Sequence, residues 1–132
     1  MGFSMKLLLD TCSFLWLTTE PKKLSKVAKK ALSEPSAKLF LSEVTVLEIC
    51  FKVSARMLTL PQVPAIWIED QIDQWELEVA ALSRSSIYRE GELQTHHKDP
   101  FDRLLVAQAL ELRAAIVSPD SMITKYSVDV IW

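Results

Sequence analysis

Four acidic residues stand where carboxylates could together bind a metal ion, namely Asp10, Glu48, Asp102 and Asp120. Asp10 ends a run of leucines, and a carboxylate in such apolar surroundings needs hydrogen-bond partners or a cation. Four carboxylates gathered in one pocket would repel one another unless they bound a hard cation such as Mg²⁺ or Mn²⁺, which prefers oxygen ligands. Because such an ion activates water and polarises phosphoryl oxygens, the set predicts metal-assisted phosphodiester hydrolysis without a protein nucleophile.

Two of these residues also lie near the starts of predicted helices, where helix capping is a competing explanation. Asp102 is at the third position of a helix predicted to start at Pro100, and a carboxylate there favours the helix dipole. Asp120 could cap a short helix predicted over residues 121–125. Asp99, directly before Pro100, is expected to be the N-cap of its helix. Metal binding and capping therefore both stay open for Asp102 and Asp120.

Glu48 belongs to a helix that is predicted to follow the N-cap Ser42 and to extend to about Met57. The polar residues that share one face of this helix are Thr45, Glu48, Lys52 and Arg56. The rest of the helix is so apolar that we expect it to be buried, with the polar stripe facing solvent or a site. The alternative for Glu48 is an ordinary ion pair with Lys52, four residues later.

Short apolar runs alternate with helical patterns along the chain, and these elements must position the acidic residues. Strands are predicted at residues 6–9, 38–41, 77–82, 115–117 and 128–131. Further helices are predicted at residues 24–32, 65–74, 83–93 and 100–113. The alternation predicts an α/β fold, a three-layer α/β/α sandwich around a mostly parallel five-stranded sheet. Functional sites in such sheets lie beyond the carboxyl ends of the strands, where Asp10 and Asp120 would approach each other.

Composition limits the classes of protein to which the chain can belong. Its 132 residues, of which 49% are hydrophobic, predict a single domain over residues 1–132, with residues 1–4 as a non-native or flexible extension. A formal net charge of -2 excludes a strongly basic nucleic-acid-binding domain, so any attraction for RNA must be local. Two cysteines, Cys12 and Cys50, are too few for a disulfide scaffold. Without a long apolar run, we expect a cytoplasmic protein and no membrane association.

Four segments, taken together, resemble one known family. They are Leu-Leu-Leu-Asp-Thr at residues 7–11, the helix around Glu48, His-Lys-Asp-Pro-Phe-Asp-Arg at residues 97–103, and Ser-Pro-Asp at residues 118–120. In this order, over nearly the whole chain, they resemble the PIN-domain ribonucleases of the VapC toxin type. The Asp-Pro-Phe-Asp-Arg segment is the most specific of the four, whereas Asp-Thr after a strand is weak by itself.

The resemblance implies a Mg²⁺- or Mn²⁺-dependent endoribonuclease that forms a homodimer and is neutralised by a VapB-type antitoxin. The acidic ligands of the family correspond to Asp10, Glu48, Asp102 and Asp120. Residues expected to contact the substrate or to support the ligands are Thr11, Asp99, Arg103 and Ser118. The departures from the family pattern are Cys12 for His or Asn, Leu47 for Trp, Lys98 for Arg and Ser118 for Thr. No carboxylate is lost, so these departures affect the expected choice of substrate rather than metal binding.

Several alternatives stay open beside this interpretation. Arg103 could bind a substrate phosphate or pair with Asp99 or Asp102, and His97 could assist proton transfer or simply pack. A haloacid-dehalogenase-type phosphatase is disfavoured because Cys12 stands where its second aspartate is required. A zinc site from Cys12, His96 and His97 would lack a closed set of ligands. The main alternative function is a non-catalytic PIN-like module that binds RNA or a protein.

Overall fold

A five-stranded, all-parallel sheet forms the centre of the fold. The computed structural model describes residues 5–94 and 99–132. In chain order the strands are β1 (Lys6–Leu9), β2 (Lys38–Ser42), β3 (Glu78–Ala80), β4 (Ala115–Val117) and β5 (Val130–Ile131). Their spatial order is β3-β2-β1-β4-β5, so β1 lies between β2 and β4. The predicted strands are confirmed, although β3 and β5 are shorter than the sequence suggested.

Helices cover both faces of this sheet. They are α1 (Thr11–Thr19), α2 (Lys26–Leu32), α3 (Glu43–Ser54), α4 (Pro64–Gln74), α5 (Arg84–Glu92) and α6 (Pro100–Leu112). Leu7 and Leu9 of β1 belong to a core cluster with residues of α1, α2 and α4, whereas Leu8 belongs to a second cluster with residues of α6. Since neighbouring residues of a strand point to opposite faces, the two clusters lie on the two sides of the sheet. The predicted three-layer α/β/α sandwich is therefore confirmed.

Helix α1 was not predicted from the sequence. It begins directly after Asp10, whose carboxylate accepts a hydrogen bond of 2.7 Å from the backbone N–H of Ser13. The Ser13 hydroxyl donates to the carbonyl of Val117 in β4 at 2.6 Å. Phe14 and Leu17 are buried in the core. Asp10 therefore ends a strand and caps a helix at once, and the cap ties the start of α1 to the central strands.

Helix α3 is oriented differently from the expectation for a buried apolar helix. Thr45 and Glu48, from its polar stripe, are buried, whereas Leu47 is 54% exposed and Phe51 is 61% exposed. The predicted burial of the apolar residues is thus wrong for these two positions and for Cys50, which is also exposed. The polar stripe faces a site rather than bulk solvent, because Thr11 on α1 and Lys52 on α3 both bind Glu48. No helix in the described ranges has the length and apolar character that spanning a bilayer requires.

A buried polar network joins α6 to β2 and β3. Gln108 on α6 accepts a hydrogen bond from the Ser42 hydroxyl through its side-chain oxygen. Its amide nitrogen lies 3.3 Å from the carbonyl oxygen of Ala80 and 3.2 Å from that of Ala81, to which it donates. The same Ser42 hydroxyl accepts from the N–H of Val44 and caps α3. The Gln108 side chain therefore satisfies polar groups of β2, of β3 and of the residue that follows β3.

We expect Gln108→Leu to lower the free energy of unfolding by about 3 kcal/mol, because the buried Ser42 hydroxyl and Ala80 carbonyl, together with the partly buried Ala81 carbonyl, would lose their partner. The measurement is urea denaturation followed by circular dichroism. Gln74→Leu, at an exposed position on α4, is the matched control and should change stability by less than about 0.5 kcal/mol. Equal losses in the two variants would contradict a structural role for the network.

Candidate functional site

Strands β1 and β4 bring the first and last acidic motifs together at their carboxyl ends. Leu9 pairs in register with Val117, and the backbone N–H of Asp10 donates to the Val117 carbonyl at 3.2 Å. Asp10 therefore leaves the sheet beside Ser118, the residue that follows β4. This is the edge at which open parallel sheets bind ligands.

Asp10 is the most deeply placed of the predicted ligands, with only 5% of its surface exposed. Burial raises the pKa of its carboxyl group above the ordinary value, and the charge of Asp120 acts in the same direction. Hydrogen bonds from Ser118 and Ser13 oppose this rise in pKa. A carboxylate that loses its hydration in this way gains from a nearby cation.

Both carboxylate oxygens of Glu48 have partners within the chain. Oε1 accepts a hydrogen bond of 2.9 Å from the Thr11 hydroxyl, and Oε2 lies 2.8 Å from the Lys52 ammonium nitrogen. The Thr11 hydroxyl is also 3.2 Å from that of Thr45. The pKa of Lys52 is raised, chiefly by its hydrogen bond to Glu48, with the charges of Glu48, Asp99 and Asp102 acting in the same sense. The ion pair expected between Glu48 and Lys52 is therefore present, and it lies inside the site.

The start of α6 supplies two further acidic residues. Asp99 is the N-cap, and its carboxylate accepts a hydrogen bond of 2.9 Å from the N–H of Phe101, which confirms its expected role. Asp102 lies in the first turn and is partly buried. Arg103 donates from Nε to Glu90 on α5 at 2.6 Å, a partner that the sequence did not suggest. This contact ties the start of α6 to α5 beside the site.

Asp120 lies in the loop after β4, where it is held by local hydrogen bonds. Its backbone N–H donates to the Ser118 hydroxyl at 3.0 Å, and its carboxylate accepts from the N–H of Met122 at 2.9 Å. The short helix predicted at residues 121–125 is a 3₁₀ helix, Ile123–Lys125. Asp120 thus combines a turn-forming role with a place at the pocket.

All four predicted ligands line one pocket, whose volume is about 400 Å³. The lining residues are Asp10, Thr11, Cys12, Leu15, Trp16, Glu48, Lys52, Asp99, Asp102, Pro119 and Asp120. Leu15 and Trp16 lie on α1, which was not predicted, so no role at the site was expected for them. Lys52 was expected only as an ion-pair partner of Glu48. The four-residue spacing of Lys52 from Glu48 was the signal that could have placed its side chain at the pocket.

The acidic residues suit Mg²⁺ or Mn²⁺ in chemistry, although they do not form a finished ligand cage. Within residues 5–94 and 99–132, no three acidic, histidine or cysteine side chains are grouped closely enough to hold one metal ion. Mg²⁺ usually keeps several waters and binds proteins through one or two carboxylates, so it does not require such a cage. The oxygen donors around this pocket therefore fit a hard divalent ion.

Cys12 lines the same pocket but is a poor ligand in the metal-free chain. Burial, together with the charge of Asp10, raises the pKa of its thiol to about 11. Zinc binds the thiolate, and the thiol stays protonated near neutral pH. The other residues of the alternative zinc site, His96 and His97, lie outside the described residues, and so does Lys98.

Comparison with known proteins identifies the family. The sequence model described as PIN domain matches residues 7–128. The chain belongs to the PIN domain family. A search of curated protein sequences found no match for this PIN domain.

Three solved structures with a similar fold are DNA-bound complexes of VapBC or FitAB. VapBC2 from Rickettsia felis, bound to a promoter DNA fragment, matches with 16% identity and a TM-score of 0.63 over 96% of this PIN domain and 97% of that chain. DNA-bound VapBC from Salmonella typhimurium matches with 14% identity and a TM-score of 0.69 over 96% of each chain. FitAB bound to the IR36 DNA fragment matches with 16% identity and a TM-score of 0.68 over 94% and 92% of the two chains. At these identities the likeness establishes the fold.

Proposed function

We propose that this PIN domain is a VapC-type toxin, an endoribonuclease that hydrolyses RNA phosphodiester bonds with Mg²⁺ or Mn²⁺ held by Asp10, Glu48, Asp102 and Asp120. The observation that supports this most strongly is that these carboxylates, from four separate segments of the chain, line one pocket at the carboxyl edge of the sheet. PIN domains are generally nucleases, and the similar structures are VapBC and FitAB complexes.

The chain itself positions the groups that the reaction requires. In the metal-free chain Thr11 and Lys52 bind the two oxygens of Glu48, while the N–H of Ser13 binds the carboxylate of Asp10. The first turn of α6 directs Asp102 towards the same pocket. A bound Mg²⁺ or Mn²⁺ would activate water for attack and polarise the phosphoryl oxygen. Burial of the carboxylates strengthens their attraction for such an ion.

We expect the purified protein to cleave single-stranded RNA with Mn²⁺ or Mg²⁺ and to stop when a chelator is added, because the proposed reaction needs a metal ion to activate water. Asp102→Asn should reduce cleavage at least about a hundredfold while leaving the melting temperature within a few degrees of the wild type. Asp70→Asn, at an exposed position on α4, is the matched control and should cleave normally. Cleavage that persists in chelator, or RNA binding without any cleavage, would favour the non-catalytic alternative.

The proposed partners are a VapB-type antitoxin and a second copy of the chain. The similarity to VapBC structures supports the first, and the exposed apolar side chains Leu47 and Phe51 on α3 support a protein contact. We also propose that the protein acts in the cytoplasm, where it would meet an RNA substrate. Expression of the chain alone should arrest growth of a bacterial host, and co-expression with a VapB-type antitoxin should restore it. A monomeric mass in analytical ultracentrifugation would contradict the homodimer.

A further inference from the structure

Lys52 holds a distinctive place in the pocket. Of the lining residues in the described part of the chain, it is the one with a basic side chain, and it faces five acidic residues. Its ammonium nitrogen lies 2.8 Å from Oε2 of Glu48. A positive charge at this point offsets part of the repulsion among the carboxylates.

The two side chains of this ion pair differ in how deeply they are buried. The side chain of Lys52 is 37% exposed, whereas that of Glu48 is 11% exposed. The ammonium is therefore the outer partner and the carboxylate the inner one. An anion that enters from solvent would meet the ammonium before it met the buried carboxylates, which would repel it.

Glu48 does not depend on Lys52 alone for its position. The hydroxyl of Thr11 holds the other carboxylate oxygen at 2.9 Å, and Thr11 is itself buried beside Thr45. If a metal ion bound Glu48, the ammonium could leave Oε2 while Thr11 still held Oε1. Lys52 is also on a flexible stem with three N–H donors, which suits it to bind a phosphate as a point charge.

We propose that Lys52 is a substrate-binding residue. Its ammonium pairs with the Glu48 carboxylate in the metal-free chain and binds a phosphate oxygen of the RNA when the metal is present. This inference rests on the proposed ribonuclease function and adds one residue to its site. A lysine in this role has opposite effects on the two ligands of the site: it repels the cation and attracts the phosphate.

Because the effects on the cation and on the phosphate are opposite, Lys52→Met can test the proposal. This substitution removes the charge and keeps most of the apolar stem. Titration of the RNA-free protein with Mn²⁺, followed by calorimetry, should give a dissociation constant lower by about threefold to tenfold, since one competing positive charge is gone. Steady-state cleavage of a random-sequence single-stranded RNA at saturating Mn²⁺ should show a KM higher by about tenfold, because a charged hydrogen bond to phosphate is lost. The value of kcat should change by less than about threefold, as expected for a contact made equally in the ground and transition states.

The dependence of RNA affinity on salt gives a further readout. Loss of one phosphate contact should reduce the slope of the logarithm of affinity against the logarithm of salt concentration by about 0.7. Lys52→Arg keeps the charge and should stay close to the wild type in the Mn²⁺ titration. Lys30→Met, on the exposed face of α2, removes a charge away from the pocket and should change neither Mn²⁺ binding nor KM.

The possible results separate the proposal from its alternatives. If Lys52→Met binds Mn²⁺ more weakly and also has a higher KM, Lys52 merely holds Glu48 in place. If the KM of Lys52→Met is unchanged, Lys52 does not bind the substrate. Either result overturns the role of Lys52 while the ribonuclease function stands. A wild-type protein that binds no Mn²⁺ and cleaves no RNA overturns both proposals.

Discussion

Asp10→Asn is expected to abolish RNA cleavage and, at the same time, to raise the melting temperature of the metal-free protein. Burial raises the pKa of Asp10 in the folded chain above its value in the unfolded chain. Folding therefore favours the protonated carboxyl group, and this contribution is fully present below the unfolded pKa of about 3.9. It is lost as the pH rises through the higher folded pKa. Above that folded pKa the ionised Asp10 consequently destabilises the metal-free fold.

Asparagine removes the charge but preserves the local structure. Its side-chain oxygen can still accept the hydrogen bond from the N–H of Ser13, and asparagine is as good an N-cap as aspartate. The loss of function comes from the metal, because a neutral amide is a much weaker ligand for Mg²⁺ than a carboxylate. We expect cleavage to fall by about a thousandfold or more.

Two measurements test this prediction. The first is the rate of Mn²⁺-dependent cleavage, and the second is the melting temperature of both metal-free proteins between pH 4 and pH 8. The stability of the wild type relative to the variant should decline as the pH rises. Asp73→Asn, at an exposed position on α4, is the control and should alter neither quantity. A variant that melts below the wild type at pH 8 would contradict the physical argument, and one that still cleaves would remove Asp10 from the site.

Phe14→Ala is expected to cause the largest loss of stability. Phe14 is fully buried, and its ring meets that of Trp67 edge to face with the centroids 5.8 Å apart. Truncation of a buried phenylalanine to alanine leaves a cavity and costs about 3–5 kcal/mol. This is a large part of the stability of a typical domain, which is about 5–15 kcal/mol. Because α1 begins at Thr11, beside Asp10, loosening of this helix should also reduce cleavage.

Chemical denaturation measures the first effect, and cleavage below the onset of unfolding measures the second. Tyr88→Ala, which truncates an exposed aromatic residue on α5, is the matched control and should cost less than about 1 kcal/mol. If the two truncations lowered the free energy of unfolding equally, Phe14 would not be the residue that packs α1 into the core. A destabilised variant with full activity at low temperature would separate the packing of α1 from the geometry of the site.

Much of the site could be predicted because it follows from the rules of parallel sheets. A run of leucines that stops at Asp10 predicts a buried strand with a carboxylate at its end, and Ser-Pro-Asp after residues 115–117 predicts the same for the neighbouring strand. Both strands are present, paired in parallel, and their following residues line one pocket. The pairing of Glu48 with Lys52 could also be predicted, since it depends only on spacing within one helix.

The features that could not be predicted depend on contacts between distant parts of the chain. Residues 11–19 have no helical periodicity of polar and apolar residues, so their pattern does not predict α1. The bond between Arg103 and Glu90 joins two helices whose relative position only the folded chain determines. The rotation of α3 that exposes Leu47 and Phe51 places Glu48 against Thr11, a contact over 37 positions of sequence.

The central place of β1 has a consequence for the synthesis of the protein. Asp10 and Glu48 are translated before β4, which pairs with β1, and before Asp120, which completes the pocket. A nascent polypeptide therefore carries these two carboxylates without the neighbours that enclose them until residues 115–120 have emerged from the ribosome. On this topology the proposed nuclease site can assemble only after β4 has joined the sheet, so a shorter nascent polypeptide could not use it.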